Sequence, residues 1–333
     1  MILPSVTPTW TGPLCAFLSS VTWAIGSSAY STLSRRFSAF GINFTRALVG
    51  LPFFIVLTFL LAGGWSAGLA AYSHLALHHL GWFMLGTFAS YGFGDVLFFW
   101  STRSLGVPGA LAIASCFPIW TTAFGMIFLK QTIHTQGLVG LFVTITGVIT
   151  VILNGPQTPH PEIRPESGDV VLESDADSLP SLTAPASRLE NRKTGVLLAG
   201  TVSILWAVNS FAIANGGADI PNSVGNSLRM ILAMSVSLFL SVIMTRKSKI
   251  FLPWSALKKS LWIFIAEPVF GSFLFMYGLA NSPMIIGSTL TSLAPVLSVP
   301  VAWALGLEKV SFLRTLGVAM GVTGLWLLMS GQH

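Results

Sequence analysis

The stretch WAIGSSAY at residues 23–30 returns as WAVNSFAI at residues 206–213, an offset of 183 residues. Arg46 matches Arg229 at the same offset. Further along the chain the offset becomes 177 and continues without a gap, so six additional residues lie in the first copy before its third apolar segment. The matches at this second offset pair Phe98 with Phe275, Trp100 with Tyr277, Ser115 with Ser292, Pro118 with Pro295, Gly140 with Gly317 and Gly147 with Gly324. The chain is therefore predicted to contain an internal repeat.

The composition is that of a protein whose solvent is a lipid bilayer. Of 333 residues, 53% are hydrophobic and only 8% are charged, and the mean hydropathy is +0.76. Soluble domains carry about 25% charged residues, so this chain has too little charge to cover a surface in water. Cys15 and Cys116 lie in apolar runs and predict neither a disulfide framework nor a cysteine metal site. No basic segment precedes the first apolar run, so a cleaved signal peptide is not expected.

Ten apolar segments are long enough to cross a bilayer, which takes roughly 20 residues each. They are residues 12–33, 40–62, 80–101, 107–128, 136–154, 194–215, 223–245, 260–279, 284–305 and 310–330. Residues 155–193, between the fifth and sixth segments, are rich in Pro, Ser and acidic residues and have no periodicity, which predicts a disordered linker.

The sequence thus predicts an all-α polytopic membrane protein with ten transmembrane helices. Residues 1–154 form the first five-helix repeat, residues 155–193 the linker and residues 194–333 the second repeat. Because each repeat has an odd number of spans, the two copies must cross the membrane in opposite senses. Many secondary transporters have this inverted-repeat arrangement, with the substrate site near the midplane between the repeats.

Features of both copies resemble the EamA-type ten-helix members of the drug/metabolite transporter superfamily. The shared features are a Trp in the first helix (Trp23, Trp206), an Arg opening the second (Arg46, Arg229) and a mid-helix Pro in the fourth (Pro118, Pro295). Gly306-Leu307-Glu308 is similar to the family's ending of that helix, whereas Gln131 stands in the first copy, so the acid is not expected to be needed in both. The resemblance implies a carrier of small metabolites, often an exporter, and names no substrate. We expect an integral protein of the plasma (inner) membrane with no cofactor, no metal and no nucleic-acid partner.

The basic residues are concentrated in the loops on one side of the membrane. The loops after spans one, three, seven and nine carry ten Lys and Arg residues, and the opposite side holds only Lys130. This bias predicts both termini outside and the linker inside, whereas the family resemblance implies the reverse. In either case the net charge of +6 marks a membrane face rather than a nucleic-acid surface.

Two acidic residues lie inside the predicted spans, Glu267 in IFIAEPVF (263–270) and Asp95 in GFGDVLFF (92–99). A charge deep in a span costs about 2.5–3.5 kcal/mol on insertion scales, so Glu267 should face the bundle interior and be paired or protonated. Pro268 beside it removes a backbone donor. Glu267 is predicted to be a coupling or ammonium-binding group and Asp95 a secondary one. The alternatives are a structural carboxylate at Glu267 and a helix-terminal anchor near Arg103 at Asp95.

The two acids are not equivalent in the repeat, since Glu267 aligns with Ser90 and Asp95 with Ser272. A step of five residues turns an α-helix by about 140°. We therefore expect the acids to approach a shared cavity from different heights.

Aromatic and amide side chains in the spans are the other candidates for a substrate site. They are Tyr91, Trp100, Tyr277, Trp23, Trp206 and Asn209. Arg46 and Arg229 lie near the loop ends of their helices, so snorkelling to the headgroups and a shared architectural role are predicted for them. His74 and His78 have metal-ligand spacing but no third ligand nearby, so no metal site is predicted.

The predicted function is a non-enzymatic carrier that works by alternating access. Its substrate is expected to be a small metabolite, amino acid-like or otherwise cationic or zwitterionic. The alternative is a sugar-phosphate or nucleotide-sugar antiporter, which should place Lys or Arg inside the ninth and tenth spans; the ninth has none. A remote alternative is an intramembrane aspartyl protease, because Gly92-Phe93-Gly94-Asp95 has the GxGD form. That chemistry needs two carboxyls sharing a proton, and no second Asp lies in any span.

Overall fold

A computed structural model describes residues 10–154, 187–244, 250–297 and 311–330, and within these ranges the chain is helical with no strand. The helices of the first half are α1 (Thr11–Leu33), α2 (Ala39–Ala62), α3 (Trp65–Ser73), α4 (Leu77–Thr87), α5 (Asp95–Ala114), α6 (Phe117–Phe128) and α7 (Thr135–Leu153). Those of the second half are α8 (Ser187–Gly216), α9 (Asn222–Met244), α10 (Trp254–Ile265), α11 (Ser272–Ala280), α12 (Met284–Thr291) and α13 (Phe312–Ser330).

Two π-helical segments interrupt the regular helices, π1 (Phe88–Gly94) between α4 and α5 and π2 (Ala266–Gly271) between α10 and α11. In π2 the Ser272 N–H donates to the Glu267 carbonyl, five residues back. This segment accommodates Pro268, which cannot donate. At the repeat offset of 177, π1 falls on residues 265–271, so both halves carry a π segment at the equivalent position.

Several described helices are long and apolar enough to cross a membrane. They are Ala39–Ala62, Gly109–Phe128, Arg192–Gly216, Asn222–Met244 and Trp254–Ala280, and shorter apolar helices cover Thr135–Val151 and Phe312–Leu328. The prediction of helices with the length and composition of membrane spans is confirmed for these ranges. The count of ten spans stays a prediction.

The predicted loop between the third and fourth spans, residues 102–106, is helical and belongs to α5. Hydropathy falls there because of Thr102, Arg103 and Ser104, but the two hydroxyls donate to carbonyls of their own helix. Thr102 Oγ1 lies 2.8 Å from the Phe99 carbonyl, and Ser104 Oγ lies 3.3 Å from that of Ser101. A polar stretch whose hydrogen bonds are satisfied within the helix does not end it.

The other boundaries that differ lie at the linker and before the third span. α8 begins at Ser187, inside the predicted linker, in a run rich in good helix formers; residues 155–186 lie outside the described ranges, as does Glu308. The six additional residues of the first copy fall where α3 occurs, a helix the sequence did not predict. Trp65 at its start stacks on Phe59 of α2, with ring centroids 4.6 Å apart.

The halves pack through equivalent helices. α2 lies against α9 and α7 against α13, and the contact of α5 with α8 has a counterpart in that of α1 with α11. The interior between these pairs is where side chains from both halves meet.

The crossing of α7 and α13 depends on glycine. A Cβ added to Gly147 would lie 2.5 Å from the Gly321 nitrogen and 2.6 Å from the Gly317 carbonyl oxygen, so only glycine allows the two backbones to approach this closely.

Gly147→Ala is therefore expected to lower the free energy of unfolding by about 1–3 kcal/mol, as overpacking does, because two backbones would have to separate. Gly200→Ala in α8 is the matched control, since nothing lies within 4 Å of its added Cβ; it should be neutral or stabilise by up to about 1 kcal/mol. Thermal unfolding in detergent measures both, and equal effects would contradict the packing argument.

Candidate functional site

A cavity of about 90 Å³ lies between the two halves, and we call it the central cavity. Its wall contains six pairs of repeat-equivalent residues: Trp23 and Trp206, Arg46 and Arg229, Ser90 and Glu267, Asp95 and Ser272, Ser115 and Ser292, and Phe117 and Ala294. Both copies of the repeat therefore build the cavity from the same positions, and the chemistry differs where the paired residues differ.

Arg46, Asp95 and Glu267 form a buried ion-pair cluster, which we call the triad. The Arg46 guanidinium makes a two-pronged contact with Glu267, with Nε 2.9 Å from Oε2 and Nη2 2.8 Å from Oε1. Its Nη1 donates to Asp95 Oδ2 at 2.5 Å. Arg46 is 3% exposed, Asp95 3% and Glu267 7%. Forked contacts between guanidinium and carboxylate are among the strongest hydrogen bonds in proteins.

The π segments explain how both acids reach one guanidinium. In a π-helix the hydrogen bond joins residues five apart, so these residues lie nearly above each other. Ser90 and Asp95 in the first half, and Glu267 and Ser272 in the second, have this spacing and all line the central cavity. Both acids therefore reach the same cavity, although the turn of about 140° that five residues make in a regular α-helix would have placed them on different faces.

Neighbouring side chains hold the triad in place. Tyr30 Oη lies 3.2 Å from Glu267 Oε2 and 3.1 Å from the Ile263 carbonyl, and one proton serves these acceptors. Trp206 Nε1 donates to Asp95 Oδ1 at 3.2 Å. Asn43 accepts from Arg46 at 3.0 Å and donates to the Tyr91 carbonyl at 2.8 Å. The carboxylates are thus hydrogen-bonded from both halves of the chain.

Aromatic rings enclose the Arg46 guanidinium. Its Cζ lies 4.7 Å from the ring centroid of Tyr91, 4.9 Å from that of Tyr30 and 5.7 Å from that of Trp23. Trp23 contacts its repeat mate Trp206 edge to face at 5.6 Å. Such rings favour a cation electrostatically.

The triad holds two carboxylates against one guanidinium. With all three groups ionised it carries one excess negative charge, because both acids bind the same Arg46. Burying an uncompensated charge is unfavourable, so a proton or a ligand cation would be bound favourably there. This charge imbalance is the main chemical property of the acidic side of the cavity.

Arg229, the repeat mate of Arg46, has a different environment. It is 5% exposed and lies over two rings, with Cζ 5.4 Å from the centroids of both Tyr91 and Phe275. Its Nε and Nη1 have no hydrogen-bond partner among the described residues. The ion pairs in this part of the structure, those of Asp95 and Glu267, are made with Arg46 instead. The Asn209 Oδ1 atom is also buried without a partner.

Most of the sequence-predicted site residues meet at this cavity. Glu267, Asp95, Trp23, Trp206 and Asn209 line it. Tyr91 is 1% exposed and lies between the two guanidiniums. How these residues act on a substrate stays a prediction.

Trp100 and Tyr277 do not line the cavity. Trp100 packs against the apolar core of the bundle, and the Tyr277 ring stacks on Phe273 with centroids 6.5 Å apart. Each lies five residues beyond a cavity residue, Asp95 or Ser272, but in regular α-helix, where that step turns the side chain about 140° away.

Sequence reasoning missed the arginines, and the snorkelling prediction is wrong for both. Snorkelling removes a cation from hydrocarbon, but here the bundle itself supplies two carboxylates to Arg46. The sequence did contain a signal for the two arginines. Arg46 and Arg229 recur at one offset inside spans, and the two acids in the spans need a counterion. Tyr30 and Asn43 gave no such signal, because a single Tyr or Asn in a span is unremarkable.

The rival interpretations of the acids are also tested by the geometry. Asp95 pairs with Arg46 rather than Arg103, whose guanidinium donates to the Ser34 carbonyl at 3.0 Å. An aspartyl protease needs two carboxyls that share a proton, but the Arg46 guanidinium binds both Asp95 and Glu267.

Comparison with known proteins bears on the fold and the family. The model of the EamA-like transporter family matches residues 10–153 and again 193–330. One similar crystal structure has a TM-score of 0.65 and 15% sequence identity, covering 97% of this chain and 98% of that chain. That likeness concerns the fold alone. No curated protein sequence matches the chain.

Proposed function

Because the chain belongs to the EamA-like transporter family of the drug/metabolite transporter superfamily, we propose that it exports a small cationic or zwitterionic, amino acid-like metabolite across the plasma (inner) membrane. The proposal includes ten spanning helices arranged as two inverted five-helix repeats. The observation that carries the substrate class is the triad, whose two carboxylates face a single guanidinium at the cavity wall.

The excess negative charge of the triad supports a bound proton or ammonium group. Glu267 is the coupling or ammonium-binding group and Asp95 the secondary one. The carboxylates approach from different halves of the chain, so a cation bound to both would link the halves. The affinity for that cation would change when the halves move relative to each other. Coupling in alternating access requires such a difference in affinity between the two states.

The small volume of the cavity supports alternating access. A cavity of roughly 150 Å³ holds a molecule the size of benzene, so one of about 90 Å³ accepts only a few heavy atoms. A metabolite enters when the surrounding helices separate. The π segments lie beside the cavity in both halves, and their irregular hydrogen bonding makes them suitable places for that change.

A sugar-phosphate or nucleotide-sugar antiporter is the second candidate, because Arg229 provides one buried guanidinium without a carboxylate. A phosphate monoester carries between one and two negative charges at neutral pH. The acids of the triad would repel it. The amino acid-like substrate fits the charges of the cavity better.

The test is flux in proteoliposomes made with the purified protein. We expect labelled amino acids or small amines to move, with a rate that changes when a pH gradient is imposed. A sugar phosphate should not move under the same conditions, and liposomes without protein set the background. Flux of sugar phosphates without that of amines or amino acids would overturn the proposed substrate class.

A further inference from the structure

We infer that Arg229 is a binding site for the carboxylate of the transported molecule. This deepens the proposed function and rests on it, because the ligand is the substrate of the same cavity. The site narrows the substrate class from cations in general to zwitterions, which carry an ammonium and a carboxylate together.

The burial and the missing partners of Arg229 carry this inference. The side chain is 5% exposed and belongs to the cavity wall, yet its Nε and Nη1 donors have no acceptor among the described residues. Buried donors are nearly always hydrogen-bonded, and a buried guanidinium normally has an anion beside it. An acceptor that arrives with the substrate supplies what the chain itself does not.

The contrast with Arg46 shows that the difference is specific. Both arginines open the second helix of a repeat, both line the cavity and both lie over the Tyr91 ring. Arg46 contacts two carboxylates, those of Asp95 and Glu267. The repeat mates of these acids are Ser272 and Ser90, so the second copy supplies no equivalent acidic pair. Arg229 therefore keeps the charge and the donors of an arginine, but no carboxylate among the described residues pairs with it.

The distribution of charge matches a zwitterion. One part of the cavity wall has an excess carboxylate at the triad, and another has an excess guanidinium at Arg229. A guanidinium fork fits the two oxygens of a carboxylate, and Asn209, with its unpartnered Oδ1 on the same wall, can accept a hydrogen bond from the ammonium. A single guanidinium balances a carboxylate fully but a phosphate only in part.

The test compares matched ligands on the purified full-length protein in detergent. The standard L-amino acids are titrated one at a time, and each that binds is compared with its amide, which keeps the ammonium and replaces the carboxylate by an uncharged group. We expect the amide to bind about tenfold more weakly or worse, the loss typical of a charged hydrogen bond. Isothermal titration gives the dissociation constants.

The outcomes separate this inference from the proposed function. Equal binding of an amino acid and its amide overturns the carboxylate site but leaves the cationic substrate class standing. Binding of simple amines without any amino acid does the same. Binding of neither amines nor amino acids overturns both, and binding of inorganic phosphate alone overturns both in favour of an anionic substrate.

Variants then assign the effect to the residue. Arg229→Gln should remove the difference between acid and amide, and Arg229→Lys should keep part of it because the charge stays while the fork is lost. Arg103→Gln, which removes an exposed arginine outside the cavity wall, should leave the difference unchanged. A full preference for the acid in Arg229→Gln would overturn the inference. The wild-type comparison needs no variant, so a failure of Arg229→Gln to fold leaves the test intact.

Discussion

Arg46→Gln is expected to destabilise the protein by about 3–5 kcal/mol, the loss typical when one partner of a buried ion pair is removed. The variant would leave Asp95 and Glu267 buried with no cation between them. Glutamine can donate to one carboxylate but cannot neutralise either. The rings of Trp23, Tyr30 and Tyr91 enclose this position and supply no positive charge in place of the guanidinium.

Thermal unfolding in detergent across a range of pH measures this effect and its cause. When an unpaired carboxylate is buried, the folded state takes up protons more readily than the unfolded state. Lowering the pH therefore stabilises the folded variant relative to the unfolded one, and the deficit against the wild type should shrink as pH falls. A deficit that is independent of pH would mean that lost packing, rather than unpaired charge, is responsible.

The repeat supplies a matched control for this prediction. Arg229→Gln removes the equivalent arginine, buried to a similar degree, from a place where no described carboxylate contacts it. Removing an uncompensated buried charge should change the stability little or raise it. If Arg46→Gln and Arg229→Gln were equally destabilising, the ion pairs of the triad would not be the main contribution of Arg46.

The sequence predicted the helical membrane architecture because bilayer thickness sets a strong and local constraint. Long apolar segments such as residues 39–62 must become helices, since hydrocarbon offers no other partner for the backbone. Residues 102–106 were predicted as a loop because hydropathy measures side-chain polarity, but the Thr102 and Ser104 hydroxyls are hydrogen-bonded inside α5.

The interior position of Glu267 was equally predictable, because a lone charge in a span has few permitted places. Its partner, Arg46, was not predictable in the same way. Hydropathy and periodicity treat Arg46 as an end residue, and only the tertiary arrangement of α2 against π2 shows that a guanidinium can reach the acid. A counterion argument, asking which cations two span acids require, would have selected Arg46 or Arg229 without choosing between them.

The register of the site could not be predicted, because π segments follow no simple sequence pattern. Pro268 signals the irregularity in π2, but π1 contains no proline and still occurs at the equivalent position. Each segment shifts the face of the following helix. This shift brings Asp95 to the cavity and leaves Trp100 and Tyr277, which were candidates as aromatic residues in the spans, outside its wall.

Glu267→Gln is expected to reduce proteoliposome flux roughly tenfold or more, a loss comparable with that of a charged hydrogen bond, and to remove its dependence on a pH gradient. The substitution leaves Asp95 and Arg46 as a neutral pair, so the excess negative charge that binds a proton or an ammonium group disappears. The glutamine oxygen can still accept one hydrogen bond from Arg46. The fold should therefore persist, and thermal unfolding should confirm that the variant protein is intact.

Two control variants distinguish charge from shape in this experiment. Glu267→Asp keeps the carboxylate on a shorter side chain and should retain the pH dependence at a reduced rate. Ser90→Ala alters the repeat mate of Glu267 on the same cavity wall without changing charge, and its pH dependence should equal that of the wild type. Wild-type flux with unchanged pH dependence in Glu267→Gln would show that Glu267 is a structural carboxylate, and the coupling role would then have to be sought at Asp95.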